Sequence, residues 1–447
     1  MNRRSLLRAG LGLGLAGTWT AHAPLAWAAA DEEGFRPLFN GKDLEGWVPV
    51  NVAPETFTVK DGLIVSTGVP TGVLRTDRHY ENFVIELEWR HMKPKGNAGL
   101  FIWSDALPAP GVPFTRGIEV QILDGRETAN YTSHGDVFAI HGATLTPDHP
   151  HPAGWPRALP TEKRAKASPE WNHYRVECRD GRIALAVNGK VVSTGHGCNP
   201  RKGYICLEAE GSECHFRNIR IKELPSSNPS DDQIATLDSG LVSLYSGLDL
   251  RGWKHEPGHV GHWAAKNWKL TYDGKSTAKD KSLWTEADYG DFEMIVDWRL
   301  PGKPVPRPRA VILPSGDDVR NPDGTVKNQV IPYAGDSGIL IRGSEKAQLN
   351  ITCNTVGSGE LYGYRTDRSM PPEVRAASVP KVKADRPPGQ WNRFHITLRG
   401  EHLVVRLNDQ LVIDQARLPG LPRTGPIGLQ HHGDPLEFAN LFIKKLG

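Results

Sequence analysis

The chain repeats four blocks of sequence in the same order, and no other feature constrains its fold as strongly. The block LFNGKDLEGW, which ends at Trp47, returns as LYSGLDLRGW, which ends at Trp253. The other three matched pairs are ENFVIELEWR with GDFEMIVDWR, EWNHYRVECRDGRIALAVNGKVV with QWNRFHITLRGEHLVVRLNDQLV, and CHFRNIRIKEL with LEFANLFIKKL. At 447 residues the chain is also too long for one ordinary domain. We therefore predict a first copy over residues 31–225 and a second copy over residues 239–447, joined by a polar linker over residues 226–238.

The repeated blocks have the alternation that is typical of β-strands. Apolar and charged residues take turns between Phe83 and Trp89, as they do between Phe292 and Trp298. Asn188 and Gly189 form a hairpin signal between two apolar runs. Long helical periodicity is absent from the sequence after the first thirty residues. The pattern predicts an all-β chain made of two antiparallel β-sandwiches or jelly rolls.

The first thirty residues are typical of an export signal. Arg3 and Arg4 form a twin-arginine pair, and they precede the apolar run LGLGLAG and the small residues that end at Ala30. A membrane anchor is the weaker interpretation because the apolar run is shorter than the roughly 20 residues that a span needs. We predict a Tat-type signal over residues 1–30 and a periplasmic or secreted protein.

Charge and cysteine content exclude several classes of function. The net charge is +3 and the charges are dispersed, so we predict neither a nucleic-acid partner nor a membrane partner. Five cysteines at loose spacing form neither a disulfide framework nor a zinc motif.

Several motifs resemble one known family. LFNGKDLEGW, GNAG, GIEVQILDG and HFRNIRIKEL, in this order, resemble the 3-keto-disaccharide hydrolase family, once in each copy. The resemblance implies concanavalin A-like jelly rolls. It also implies activity on glycosides oxidised at C3, by hydrolysis or by β-elimination.

This chemistry sets requirements for the site. A ketone at C3 makes the C2 proton acidic, and a base that removes it forms an enolate that can expel the C1 substituent. The site needs a base with a pKa near neutrality, a donor for the enolate oxygen and an acid for the leaving group.

Two strands of the first copy supply candidate acids and bases. In GIEVQILDG the apolar residues point to the core, so that Glu119 and Gln121 share the opposite face. Glu208 and Glu210 share one face of a later strand. We predict Glu119 and Glu210 as a catalytic pair whose repulsion raises one pKa, with Gln121 and Glu208 as substrate contacts. The alternative is an ordinary solvated sheet face.

The second copy changes these positions. Gln348 replaces Glu119, and Asn350 replaces Gln121. Gln430 and His432 replace the later pair of glutamates. The loss of carboxylates favours the first copy as the reactive one. His432 could still act as a base, so the second copy is not excluded, and we predict that Asn350, Gln430 and His432 contact sugar there.

A His-containing insertion and two aromatic residues complete the set of candidates. His141 follows an apolar run in the insertion and is a candidate acid or base, or a metal ligand, against the alternative of a hydrogen-bonded surface residue. We predict no cofactor, although a divalent metal is possible. If Phe101 and Trp103 lie on the concave face, they form a platform for sugar.

The favoured prediction is a periplasmic enzyme that cleaves 3-keto-glycosides, with the first copy catalytic. The alternative is a lectin-like protein without catalysis, because the same fold serves both functions. A third hypothesis makes one copy an accessory that binds polysaccharide for the other.

Overall fold

The computed structural model describes residues 33–447, and most of their regular structure is β-strand. The predicted all-β class is therefore confirmed. The predicted export signal over residues 1–30 lies outside the described residues.

The strands of the first copy form a jelly-roll sandwich of two antiparallel sheets. Its strands are β1 (Arg36–Pro37), β2 (Trp47–Val50), β3 (Phe57–Lys60), β4 (Leu63–Ser66), β5 (Gly72–Thr76), β6 (Phe83–His91), β7 (Asn97–Ser104), β8 (Gly117–Leu123), β9 (Val137–Ile140), β10 (Thr144–Pro147), β11 (Arg157–Ala158), β12 (Asn172–Arg179), β13 (Arg182–Val187), β14 (Lys190–Asn199), β15 (Tyr204–Ala209) and β16 (Cys214–Glu223). Sheet 1a has the order β10-β14-β13-β12-β6-β16-β4-β3, with β1 also paired to β16. Sheet 1b has the order β11-β9-β8-β7-β15-β5-β2. A short 3₁₀ helix, Asp231–Gln233, follows the sandwich.

The second copy repeats this arrangement. Its strands are β17 (Val242–Ser243), β18 (Trp253–Lys254), β19 (Trp263–Lys266), β20 (Lys269–Tyr272), β21 (Leu283–Thr285), β22 (Phe292–Arg299), β23 (Val305–Ala310), β24 (Asn328–Tyr333), β25 (Asp336–Ile341), β26 (Ser344–Thr352), β27 (Asn392–Arg399), β28 (His402–Leu407), β29 (Gln410–Arg417), β30 (Gly428–Leu429) and β31 (Leu436–Lys445). Two short helices, α1 (Tyr362–Thr366) and α2 (Pro372–Ala377), pack beside β26 and β29. Sheet 2a has the order β19-β20-β31-β22-β27-β28-β29, with β17 also paired to β31. Sheet 2b has the order β18-β21-β30-β25-β26, and β23 pairs with β24 as a separate hairpin.

Each sandwich buries one face of each sheet, as the alternation in the sequence predicts. In β6, Phe83, Ile85, Leu87 and Trp89 all lie in the core of the first copy. Burial of each such side chain stabilises the fold by roughly 1.5–3 kcal/mol. The opposite, outer faces of the sheets are therefore left for contacts between the copies or with ligands.

The predicted sugar platform of Phe101 and Trp103 is wrong. Trp103 has a left-handed backbone conformation, with φ of 52°, which breaks the alternation of β7 and turns its indole into the core. There its Nε1 donates to the carbonyl oxygen of Glu81 at 2.7 Å. Phe101 does lie on the outer face of sheet 1b, but none of its surface is exposed. Neither ring is available for a sugar to stack upon.

An apolar cluster between the two copies covers Phe101. Val73, Phe101 and Cys206 on the outer face of sheet 1b pack in one cluster with Leu241 and Phe442 of the second copy. Phe442 belongs to β31, on the outer face of sheet 2a. Sheet 2a of the second copy therefore shields part of sheet 1b of the first.

Buried polar groups fasten the same interface. Asp297 is fully buried and accepts hydrogen bonds from the backbone N–H of Gly111 at 2.7 Å and from Asn440 Nδ2 at 2.6 Å. Arg393 of the second copy also donates to Asp297, at 2.6 and 2.8 Å. Asn51 of the first copy donates to Asn440 at 2.5 Å. These contacts fix the orientation of one sandwich on the other.

The five cysteines, all within the described residues, are free thiols. No helix within residues 33–447 has both the length and the apolar character that crossing a bilayer requires.

Candidate active site

Three carboxyl groups meet on the part of the outer face of sheet 1b that bears polar side chains. Strand β7 lies between β8 and β15. Glu119 extends from β8 and Glu208 from β15, and Glu210 follows β15 in the same alternation. Alternation along the strands predicted that Glu119 pairs with Glu210, and the structure brings these two carboxyl groups together with that of Glu208.

Gly99 of β7 makes this close approach possible. A Cβ atom at this position would lie 2.8 Å from Glu208 Oε2 and 3.2 Å from Glu119 Cγ. A side chain at residue 99 would therefore occupy the space between the two carboxyl groups. Gly99, the second glycine of the GNAG motif, therefore has a role in the site rather than in a turn.

Burial and mutual repulsion raise the pKa of the two inner glutamates. Burial, and then the charge of Glu210, raise the pKa of Glu119 to about 8, which the positive charge of Arg157 partly offsets. Burial, and then the charges of Glu119 and Glu210, raise the pKa of Glu208 well above its usual range. Glu208 Oε2 is buried and has no hydrogen-bond partner among the described residues. At neutral pH the cluster therefore retains protons.

Glu210 differs from these two because it is only partly buried and has a hydrogen-bond donor. Burial raises its pKa, but a hydrogen bond from Asn97 Nδ2 and the charge of Arg126 act in the opposite direction. Gln121 Nε2 donates to Asn97 Oδ1 at 2.9 Å and so orients that amide. Glu210 is thus the member of the cluster that ionises most readily and is most accessible.

The sequence reasoning missed Asn97, Arg126 and Arg157. Arg157 lies in β11, at the edge of sheet 1b, where it donates to Asp136 at 2.7 Å and lies 3.7 Å from the ring centre of Phe138. Phe138 is paired with Glu119 across β8 and β9. No motif marks Arg126 or Arg157, because both come from the insertion that breaks the repeat. Asn97 could have been found from its position in GNAG, two residues before Gly99 and four before Phe101, on the same face of β7.

His141 lies at the rim of the same sheet. It follows β9, has a φ of 52°, and is exposed. Its ring stacks on Phe114 at a centroid distance of 6.0 Å, and Phe114 in turn packs edge-on against Phe101. His141 therefore has a position from which a ligand could be contacted, and its catalytic role stays a prediction.

The second copy has the same arrangement of positions with different chemistry. Gln348 lies where the first copy has Glu119, and Gln430 lies where it has Glu208. The two side chains exchange hydrogen bonds at 2.7 and 2.9 Å, and Gln348 also donates to Asn350. His432 is largely exposed, and its Nδ1 lies 4.0 Å from Asp336 Oδ2. The structure thus unites Asn350 and Gln430 on one face.

The described residues contain no group of three or more His, Cys, Asp or Glu side chains arranged to hold a metal ion. His149 and His151, the two histidines closest in sequence within the insertion, pair with different backbone carbonyl groups. His149 Nδ1 pairs with the carbonyl oxygen of Leu159, and His151 Nε2 with that of Ala129.

Comparison with known families agrees with this geometry. The model of the 3-keto-alpha-glucoside-1,2-lyase-like domain matches residues 34–222 and again residues 240–444, which together make up most of the chain. The chain belongs to this family. The 3-keto-alpha-glucoside-1,2-lyase-like family is carbohydrate-active, and the resemblance inferred from the motifs is confirmed.

Individual relatives are distant. A curated 3-keto-disaccharide hydrolase from Bacteroides thetaiotaomicron is 22% identical over 242 residues, which cover 43% of this chain and 80% of that protein. A crystal structure of a proposed glycosyl hydrolase from Parabacteroides distasonis is 25% identical, with a TM-score of 0.34, and the match covers 44% of this chain and 99% of the other. A carbohydrate-binding module from Bacillus subtilis is 13% identical, with a TM-score of 0.30, over 40% of this chain and 96% of the module.

Proposed function

We propose that the first copy cleaves the glycosidic bond of 3-keto-glycosides. The observation that supports this function best is the buried carboxyl group of Glu208, whose Oε2 has no hydrogen-bond partner among the described residues, beside Glu119 and Glu210. Three carboxyl groups so close cannot all ionise at neutral pH. Such a cluster can accept one proton while it donates another, which is the requirement of an elimination through an enolate.

Each carboxyl group has a distinct role in this proposal. Glu210 is the base that removes the C2 proton, because its partial exposure and the Asn97 hydrogen bond favour the charged form. Glu208 stays neutral and donates a hydrogen bond to the C3 oxygen as charge develops there. Glu119, with its pKa near 8, protonates the C1 oxygen of the leaving group.

The bonds and protons balance over the step. The C2–H and C1–O bonds break, a C1–C2 double bond forms, and one proton passes from Glu119 to the leaving group while another passes from C2 to Glu210. Water that adds across the double bond would complete a net hydrolysis and let the two carboxyl groups return to their starting protonation states.

The names of the relatives and the family agree with this substrate class. The periplasmic location is part of the proposal and depends on the twin-arginine pair at Arg3 and Arg4.

A chromogenic 3-keto-glucoside tests the function directly. We expect aglycone release by the full chain, a primary isotope effect when C2 carries deuterium, and a loss of kcat of about 100-fold or more in Glu119→Gln and Glu210→Gln. The matched control is Glu45→Gln, because Glu45 is exposed in the same copy and should leave kcat unchanged. Binding of the keto-sugar without any release of aglycone would instead favour a lectin-like protein.

A further inference from the structure

The outer face of sheet 2b carries an aromatic side chain in a row of residues whose counterpart in the first copy is buried. Trp284 of β21 is paired with Lys254 on one side and with Gly428 on the other. It is partly exposed. A Cβ atom at Gly428 would lie 2.7 Å from the six-membered ring of Trp284, so the indole rests directly against the glycine backbone. Trp284 Nε1 donates to Asp280 at 2.7 Å, which fixes the ring.

The matching position of the first copy cannot serve a ligand in this way. Arg75 takes the place of Trp284, paired with Cys206 where the second copy has Gly428. Arg75 is 2% exposed, binds Asp238 at 2.6 Å and lies 4.3 Å from the ring centre of Tyr204. The second copy therefore has a partly exposed indole at this position, whereas the first copy has a buried arginine in an ion pair.

Amide groups continue the face beyond Trp284. Gln430 lies in the next row of the sheet, where its side chain accepts a hydrogen bond from Gln348. Gln348 also donates to Asn350. Amides can donate and accept hydrogen bonds but do not exchange protons near neutral pH. The centre of this face can therefore hold hydroxyl groups but lacks the buried carboxyl groups of the first copy.

A groove beside Trp284 provides room for a chain. A hollow of about 380 Å³ lined by Trp284 adjoins a second hollow of about 590 Å³ that reaches His431. Both are lined by Glu256, Asp280 and Ser282, so that they form one groove. Its carboxylate, hydroxyl and imidazole groups are suited to sugar hydroxyls, and the indole is suited to the apolar face of a pyranose ring.

We propose that this face of the second copy is a non-catalytic binding site for a neutral oligosaccharide, with Trp284 as its stacking residue. The site is independent of the reaction proposed for the first copy. The groove is lined by the carboxylates of Glu256, Asp280, Glu286 and Glu345 as well as by Lys254, Lys279 and Lys281. It therefore offers no net positive charge to an acidic sugar, and its occupant is an uncharged chain of unoxidised pyranoses. The site would hold a polysaccharide near the first copy without cleaving it.

Calorimetric titration of the full chain with neutral glucan hexaoses of β-1,4, β-1,3 and α-1,4 linkage tests the proposal. We expect at least one of them to bind, and Trp284→Ala to weaken that binding about tenfold or more. Trp284→Phe should retain part of the affinity, which separates loss of stacking from loss of folding. Trp155→Ala is the matched control, since Trp155 is an exposed tryptophan of the first copy and should leave the affinity unchanged.

Turnover of the small 3-keto-glucoside keeps the two proposals distinguishable. Trp284→Ala should release aglycone as fast as the wild type, because Trp284 is remote in sequence and sheet from the carboxyl cluster. The binding proposal is overturned if none of the three hexaoses binds at millimolar concentration, or if Trp284→Ala binds as tightly as the wild type. Neither result bears on the reaction proposed for the first copy, which the keto-glucoside assay tests separately.

Discussion

Gln348 and Gln430 exchange two hydrogen bonds at the positions where the first copy has Glu119 and Glu208. Two amides can each donate a hydrogen bond to the other and accept one from it. Two buried carboxyl groups lie side by side only when at least one of them is protonated. One backbone frame therefore supports two kinds of surface. The acids of the first copy can exchange protons near neutral pH, whereas the paired amides of the second copy cannot.

Stability should depend on pH through Glu119. Its pKa rises from 4.5 to about 8 on folding, so the folded state holds more protons than the unfolded state between these pH values. The free energy of unfolding therefore falls as the pH rises through this window. Glu119→Gln removes this loss. We expect the difference in free energy of unfolding between the variant and the wild type to grow in favour of the variant by at most about 5 kcal/mol from pH 4.5 to pH 8.5. Urea unfolding at both pH values measures the gain, and a gain equal to that of Glu45→Gln would contradict the assignment.

The acidic limb of the pH–rate profile should respond to Asn97. The hydrogen bond from Asn97 stabilises charged Glu210, so Asn97→Ala should raise the pKa of this base. The acidic limb of kcat/KM should then move to higher pH, by roughly 1 unit for a charge-assisted hydrogen bond. Steady-state kinetics between pH 4 and pH 9 provide the measurement. Asn130→Ala, in an exposed loop of the same copy, should leave the limb in place, and a shift toward lower pH in Asn97→Ala would remove Glu210 as the base.

A side chain at residue 99 should separate activity from stability. Gly99→Ala brings a methyl group within 3.2 Å of both Glu119 and Glu208, and we expect a loss of about 1–3 kcal/mol of stability together with a large fall in kcat. The matched control is Gly338→Ala, which crowds Gln348 at 2.7 Å in the second copy. It should cost similar stability while the folded protein keeps its kcat. Equal kcat values for the two variants, measured well below their unfolding temperatures, would show that Gly99 has no part in the site.

Removal of Asp297 should loosen the two copies from each other. Asp297→Ala leaves Arg393 and the N–H of Gly111 without their buried acceptor, and breaking such a pair costs about 3–5 kcal/mol. Differential scanning calorimetry should show a lower Tm. Asp414→Ala breaks the exposed pair with Lys381 and should cost about 1 kcal/mol or less. Similar losses in both variants would mean that Asp297 does not stabilise the interface.

Alternation along the strands was enough to predict much of the candidate site. Glu119 and Glu210 share a face because β8 and β15 keep a strict period of two, and that period is visible in the sequence. The same rule failed at Trp103, where the left-handed backbone turns the side chain to the other face. Arg342 of the second copy repeats this conformation, with φ of 49°, so the deviation is a property of the fold and not of one side chain.

Packing between the copies could not be predicted from either copy alone. Phe101 has the position expected of a ligand contact, but the second copy covers it together with Cys206 and Val73. Nothing within β7 indicates that coverage, because it depends on how two sandwiches dock. For the same reason, Trp284 and its groove are visible only once the uncovered face is known.

The cluster that unites Phe101 with Phe442 also bears on how far the two sandwiches depend on each other. A chain without the second copy would expose an apolar patch on the remaining sandwich, and such patches promote aggregation. Selection can therefore preserve the second copy because it covers this patch. Substitutions can then accumulate on the uncovered face of the second copy, while the face that packs against the first copy is retained.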